Sequence, residues 1–130
     1  MKRLIIFISM ALCSLILASC GTADVAEKEN YIITVSELSG CTITTRYIFD
    51  DDMELDEVIQ TAKYTDASRM SLEYAIVEAD VENFTDVVKD GNSFSCELTD
   101  DGIDQFYPNA TYDSILEMAN EQELSVETSK

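Results

Sequence analysis

The chain has 130 residues, which is the length of one small domain with a single core. It carries 8 Lys and Arg against 26 Asp and Glu, a formal net charge of −18, and it contains no His. The negative charge argues against nucleic-acid binding, because phosphates would repel it. The absence of His excludes nucleophilic triads built on that residue and removes the commonest zinc ligand. We find no phosphate-binding glycine loop, so the sequence predicts neither an enzyme nor a cofactor.

The first 20 residues have the organisation of an export signal. Lys2 and Arg3 precede a mostly apolar run at residues 4–17, and the segment ends in Leu17-Ala18-Ser19-Cys20. A run of 14 residues is too short to span a bilayer, which takes about 20. The ending resembles the lipobox of bacterial lipoprotein precursors. This resemblance implies that residues 1–19 are removed and that Cys20 becomes the lipidated first residue.

The predicted processing also changes the charge and the location of the protein. Removing Lys2 and Arg3 leaves 6 basic against 26 acidic residues, a formal charge of −20. Two or more acyl chains anchor a protein stably, so we expect a membrane-anchored protein on the extracytoplasmic face. Residues 20–30 are predicted to be the lipidated cysteine and a flexible tether, residues 31–126 a single acidic domain, and residues 127–130 a frayed tail. The negative charge favours a cationic or envelope protein as partner, and the oligomeric state stays open.

Period-two alternation predicts strands in the first half of the domain. Strands are expected at residues 31–38 and 41–49, separated by the turn residues Ser39-Gly40. In the second strand, alternation places Cys41, Ile43, Thr45, Tyr47 and Phe49 on one face. Residues 55–64 fit either a helix or a strand. Their β-branched content and the acidic turn before them favour a strand.

A helix is predicted at residues 69–79, with Ser68 as its N-cap. Its expected inner face has helical spacing and consists of Leu72, Ala75, Ile76 and Ala79. Two further strands are predicted at residues 84–89 and 93–98, joined by an Asp90-Gly91 turn. A short helix is expected at residues 100–107. Thr111 is expected to cap a last helix, with Ile115, Met118 and Ala119 on its inner face, and a brief strand follows at residues 124–126. The predicted class is α+β, with a small antiparallel sheet of about five strands and two helices packed on one face.

Two groups of residues are candidates for chemistry. Alternation places Cys41 and Cys96 on the core side of their strands, where they form either a disulfide or two reduced, buried thiols. Four acidic residues, Asp50, Asp51, Asp52 and Glu54, are weak candidates for a divalent-cation site. An EF-hand loop starting at Asp50 or Asp52 would place Leu55 or Glu57 where glycine is needed. The pattern therefore favours a solvated acidic turn over a metal site.

The segment at residues 41–122 also resembles small lipoproteins of the YehR-like type. The resemblance lies in a Lys-Asp-Gly turn, the strand SFSCELT and the run DDGIDQFYPNATYDSILEMANEQ. It implies a lipobox and one α+β domain, and it assigns no activity. We therefore expect a non-enzymatic binding or interaction role at the cell envelope. The alternatives are weak divalent-cation binding through the acidic turn and, third, a small hydrolase that uses two carboxylates.

Overall fold

The computed structural model describes residues 30–129, in which six strands form one antiparallel sheet and three helices pack on one of its faces. The strands are β1 (Asn30–Leu38), β2 (Cys41–Phe49), β3 (Leu55–Tyr64), β4 (Phe84–Asp90), β5 (Ser93–Leu98) and β6 (Ser125–Thr128). The helices are α1 (Ala67–Ala79), α2 (Asp100–Phe106) and α3 (Tyr112–Glu121). The predicted α+β class is confirmed, with one more strand and one more helix than expected.

The strands lie in the spatial order β4-β5-β3-β2-β1-β6. Strands β1, β2 and β3 form a meander, because a short turn joins each of them to the next. Gly40 closes the β1–β2 turn with a φ of +74°, a conformation that favours glycine. Residues 55–64, which the sequence left between helix and strand, form the strand β3 as we expected.

The β4–β5 hairpin differs from the prediction by one residue. Asp90 pairs with Ser93, so the two central turn residues are Gly91 and Asn92 rather than Asp90 and Gly91. Gly91 has a φ of +60°, whereas Asn92 is not among the described residues with positive φ. A positive φ at the first central position alone is the pattern of a type II′ turn. Gly91 therefore determines the turn type, but as the first of the two central residues and not as the second.

The core lies between the sheet and the helices, in two clusters on the same face. Alternation and register place Tyr47 of β2, Val58 of β3 and Leu98 of β5 in the first cluster, under α2 and α3. The second cluster lies under α1 at the other end of the same strands, with Tyr64 and Phe94 at its centre. Helices at both ends leave a gap in the middle of this face.

Helix α1 turns a different side to the sheet from the one predicted. Met70 is 1 % exposed, and Tyr74 and Val77 pack beside it against the second cluster. Leu72 and Ile76, expected to face inward, are 65 % and 62 % exposed. The inner residues also follow helical spacing (i, i+4, i+7), and apolar residues lie on almost every side of this helix. Spacing alone therefore could not choose the buried side.

The caps explain where the helices begin. Asp66 caps α1 in place of the predicted Ser68, because its carboxylate accepts hydrogen bonds from the backbone N–H groups of Ser68 and Arg69 at 2.8 and 3.3 Å. The predicted cap Thr111 is confirmed for α3, where it forms a capping box with Ser114. Each cap satisfies N–H groups that have no partner within the helix.

The C-terminal residues belong to the sheet. β6 pairs with β1 as an edge strand and extends to Thr128, so residues 127–128, predicted to fray, are hydrogen-bonded. The backbone N–H of Tyr31 donates to the Ser129 hydroxyl at 2.9 Å, and the Ser129 N–H donates to the Tyr31 carbonyl at 3.1 Å. Pairing with β1 therefore fixes the end of the described chain.

Candidate functional site

A row of polar residues crosses the sheet in the gap between the helices. Thr34 of β1 lies opposite Thr45 of β2, which lies opposite Gln60 of β3. The amide of Gln60 donates to the Thr45 hydroxyl at 3.4 Å. Cys96 of β5 completes the row beside Gln60. Antiparallel pairing of the four strands therefore aligns four residues that are distant in sequence.

Thr34, Thr45 and Gln60 of this row form part of the floor of a cleft of about 470 Å³. Volumes of about 300–1,000 Å³ are typical of small-molecule sites. The cleft reaches from Phe84 on β4 to Thr34 on β1, which is four strand spacings or about 19 Å. Its floor adds Ser36 to the polar row, and its walls are formed by the apolar side chains Leu98, Phe106, Met118 and Leu124. Among residues 30–129, no charged side chain lines it.

Two tyrosines form one wall of the cleft. The hydroxyl oxygens of Tyr47 and Tyr107 are 3.1 Å apart, and the rings meet edge-on with centroids at 5.4 Å. Burial, followed by the proximity of Tyr47, raises the pKa of Tyr107 far above its ordinary value. Tyr107 therefore stays neutral at physiological pH and can donate or accept a hydrogen bond.

A smaller, mainly apolar hollow of about 240 Å³ adjoins the cleft under α1. Gln60 lines both spaces and lies between them. Glu73 is the only charged side chain that the described residues contribute to this hollow, and it accepts a hydrogen bond from the Tyr64 hydroxyl. Cys96 also lines it, and burial raises the pKa of its thiol to about 12. The Cys96 thiol is therefore protonated and a poor nucleophile.

The two cysteines that the sequence left open are free thiols and do not form a disulfide in the structure. Both are buried on the core side of the sheet, as alternation predicts. Cys41 lies opposite Tyr64, and Cys96 lies opposite Gln60, on either side of β3. Two strand spacings and four residues along the strand separate the pair by about 16 Å. A disulfide needs Cα atoms within about 7 Å, so this register does not permit one.

The acidic turn is held by its own backbone. The Asp50 carboxylate accepts from the N–H groups of Asp52 and Glu54 at 2.9 and 3.0 Å. The N–H of Tyr112 donates to the carbonyl of Met53 at 3.0 Å, which ties the turn to the start of α3. Within the described part of the chain, no group of three or more Asp, Glu, His or Cys side chains is arranged to hold a metal ion. Local hydrogen bonding in the turn therefore accounts for the carboxylate of Asp50.

One further hollow, of about 210 Å³, contains two carboxylates. Glu54 and Asp104 line it, beside Tyr107 and Asn109. Both acidic residues are exposed, and polar surface dominates the hollow. A general acid is typically a carboxyl group in an apolar pocket, and this hollow does not provide one.

The lipidation prediction falls on Cys20, which lies outside the described residues, as do Lys2, Arg3 and the rest of the leader. Between residues 30 and 129, no helix combines the length and the apolar character needed to cross a membrane. No known protein family matches the chain, and neither the curated proteins nor the solved structures contain a significant match.

The cleft could not be recognised from the amino-acid sequence. The signal it contained was Thr45, a polar residue in the middle of the apolar face of β2. That signal is a single residue, because Thr34, Gln60 and Cys96 join it only through strand pairing. Strand order, with β5 inserted between β4 and β3, decides which residues form the floor.

Proposed function

We propose that the protein is a lipid-anchored, extracytoplasmic binding protein and that the cleft between α1 and the α2–α3 pair is its binding site. It acts without catalysis, on a ligand held at the cell envelope. The proposal combines the export signal and Cys20 of the sequence with the cleft of the folded domain. The two parts are independent, so each has its own experiment.

The uncharged lining of the cleft is the observation that carries the proposal. The chain has 26 acidic residues, yet within residues 30–129 none lines the 470 Å³ space. A charged ligand would have to lose its hydration in such a site without a partner, which is costly. A neutral ligand with an apolar part would pack against Leu98 and Met118. Its hydroxyl or amide groups would reach Thr45 and Gln60. The ligand class is therefore a neutral amphiphile.

Ligand charge is the variable that tests the cleft. Octyl glucoside, octanoate and octylammonium share an eight-carbon chain and differ in a neutral, anionic or cationic head group. Each compound is titrated below its critical micelle concentration. Octyl glucoside should raise the melting temperature of the protein, and octanoate and octylammonium should not. Equal stabilisation by octylammonium would show that the negative field of the protein, rather than the neutral lining, selects the ligand.

The anchor is tested by Cys20→Ala, with Cys13→Ala as the matched control. Both cysteines lie in the first 20 residues, but only Cys20 ends the Leu-Ala-Ser-Cys motif. Cys13→Ala should remain in the detergent phase of a phase partition, with the mass of the lipidated mature chain. Cys20→Ala should lose the lipid mass. A Cys20→Ala chain that is still cleaved at the same bond and still lipidated would contradict the proposal.

The acidic turn does not carry a second proposal. The Asp50 carboxylate is hydrogen-bonded to the backbone, and its neighbours do not converge on a common point within the described residues. The structure therefore offers no specific observation that favours cation binding over the cleft.

A further inference from the structure

Helix α1 presents an apolar stripe to solvent. The stripe consists of the exposed residues Leu72, Ala75, Ile76 and Ala79, and Val81 extends it beyond the helix with 79 % of its surface exposed. These residues are not needed to attach the helix, because Met70, Tyr74 and Val77 already pack on the sheet. Soluble proteins seldom leave contiguous apolar surface on one helix face without a partner. The stripe is therefore a candidate docking surface.

The surroundings of the stripe are acidic at one end. Glu78, Asp80 and Glu82 lie at or just beyond the C-terminus of α1, and the last turn contains no basic residue. The C-terminus of a helix carries a partial negative charge, which basic side chains usually offset. Here the carboxylates add to it, and they keep their charge while Glu78 accepts a hydrogen bond from the Tyr74 hydroxyl and Asp80 accepts from the Asn83 amide. This end of the stripe is complementary to a positive group from another molecule.

Two basic residues near α1, Arg69 and Lys89, contact other groups. Arg69, in the first turn, lies 3.5 Å from Glu73 and donates to the carbonyl of Ser39 at 2.6 Å. Lys89 of β4 lies over the ring of Tyr74, with its Nζ atom 5.7 Å from the ring centroid. Among the described residues, neither forms an ion pair with Glu78, Asp80 or Glu82. The unbalanced charge therefore lies beside the exposed apolar residues.

We propose that the stripe docks an amphipathic, basic helical segment of a partner protein. The apolar side chains of that segment would cover Leu72 and Ile76, and its Lys or Arg residues would pair with the carboxylates at the end of α1. The 240 Å³ hollow beside α1, lined by Ile76 and Val77, can accept one projecting side chain as an anchor. This inference goes beyond the cleft, since it concerns a protein partner on a different surface.

Charge argues against two other occupants. A symmetric dimer through the stripe would bring two chains, each with a net charge of −18, into contact. An anionic bilayer would be repelled for the same reason. A basic segment meets neither obstacle.

The test uses the full chain in nanodiscs of neutral phosphatidylcholine. The probe is a dye-labelled 18-residue helical peptide of Leu and Lys, with binding to empty nanodiscs subtracted and affinity read from fluorescence anisotropy. The double substitution Leu72→Ser and Ile76→Ser should raise Kd about tenfold or more, because both side chains lose their apolar contact. Leu38→Ser, an exposed apolar residue outside the stripe, should change Kd by less than about twofold.

A second pair of variants isolates the charge. Glu78→Gln with Glu82→Gln should raise Kd about threefold at low salt and weaken its salt dependence. Glu121→Gln with Glu123→Gln, at the end of α3, should leave both unchanged. A peptide with Glu in place of Lys should not bind. Equal Kd for the stripe variant and the unmodified chain would overturn the proposal. Self-association that depends on Leu72, or binding of the unmodified chain to anionic vesicles through the stripe, would also overturn it.

Discussion

The hydroxyl groups of Tyr47 and Tyr107 meet at 3.1 Å across the end of the cleft, and they join the sheet to the residue that follows α2. Tyr47 is 3 % exposed, so its hydroxyl has little access to water and needs a partner in the protein. The pair links α2 to β2, beside the packing of Ile103 in the first core cluster. One end of the cleft therefore includes a contact between side chains 60 residues apart.

This contact can be measured with a double-mutant cycle. Tyr47→Phe and Tyr107→Phe should each lower the free energy of unfolding by about 1 kcal/mol, since each leaves a buried hydroxyl without its partner. The double variant should lower the free energy of unfolding by less than the sum of the two single effects, because no unpaired hydroxyl remains. Urea denaturation of the four chains checks this. Strict additivity would mean that the two hydroxyls do not interact.

The assignment of the α1 cap predicts a difference between two neighbouring polar residues. Asp66→Ala should lower the free energy of unfolding by about 1 kcal/mol, because the N–H groups of Ser68 and Arg69 lose their acceptor. Ser68→Ala, at the position that the sequence suggested, should change it by less than about 0.5 kcal/mol. Thermal or urea denaturation of both variants decides between the caps. The reverse order of effects would restore Ser68 as the cap.

Helix α2 approaches the loop before β4 so closely that a side chain at Gly102 has no room. A Cβ added there would lie 2.3 Å from the carbonyl oxygen of Asn83. The same carbonyl accepts the N–H of Thr99 at 2.9 Å, so it cannot move freely. Gly102→Ala should therefore lower the free energy of unfolding by about 1–3 kcal/mol, despite the better helix propensity of alanine. Gln105→Ala, an exposed position on α2, is the control and should be close to neutral. An equally neutral Gly102→Ala would contradict this packing.

Burial of the Cys96 thiol predicts a loss of stability at alkaline pH. Its pKa rises to about 12 in the folded protein, so above pH 9 the unfolded chain loses this proton while the native state keeps it. The contribution of Cys96 is fully present below about pH 9. It is lost as the pH rises toward 12, at up to about 1.4 kcal/mol per pH unit. Free energies of unfolding measured from pH 8 to 10 under reducing conditions check the slope. Cys96→Ala should show a shallower slope, and an unchanged slope would assign the effect to other groups.

Much of the fold follows from local patterns. Period-two alternation predicted that Cys41, Tyr47 and Phe49 share one face of β2, because apolar side chains recur at alternate positions along this strand. Turn residues and caps marked the ends of most elements. The side of α1 could not be predicted, because Met70, Tyr74 and Val77 have the same helical spacing as the exposed set. Only packing against Phe94 and its neighbours selects between the two sides.

The cleft depends on information that is not local. Thr34, Thr45 and Gln60 are separated by 11 and 15 residues in sequence, and strand pairing aligns them. The position of Cys96 in the same row requires β5 to pair with β3 rather than lie at the edge. A single sequence does not determine strand order, so the site could be found only in the folded chain.

The most direct test of the proposed binding site uses two neighbouring residues on opposite faces of β1. Ser36 lines the cleft, whereas Glu37 is exposed and points to the other side of the sheet. Octyl glucoside is titrated into isotope-labelled protein, and amide chemical shifts are followed by NMR. In the unmodified chain and in Glu37→Phe, saturable shifts should centre on Thr34, Thr45 and Gln60. In Ser36→Phe, which fills the cleft, these shifts should disappear while the spectrum of the fold is retained. Shifts that persist in Ser36→Phe, or that centre on another surface, would contradict the assignment of this cleft as the binding site.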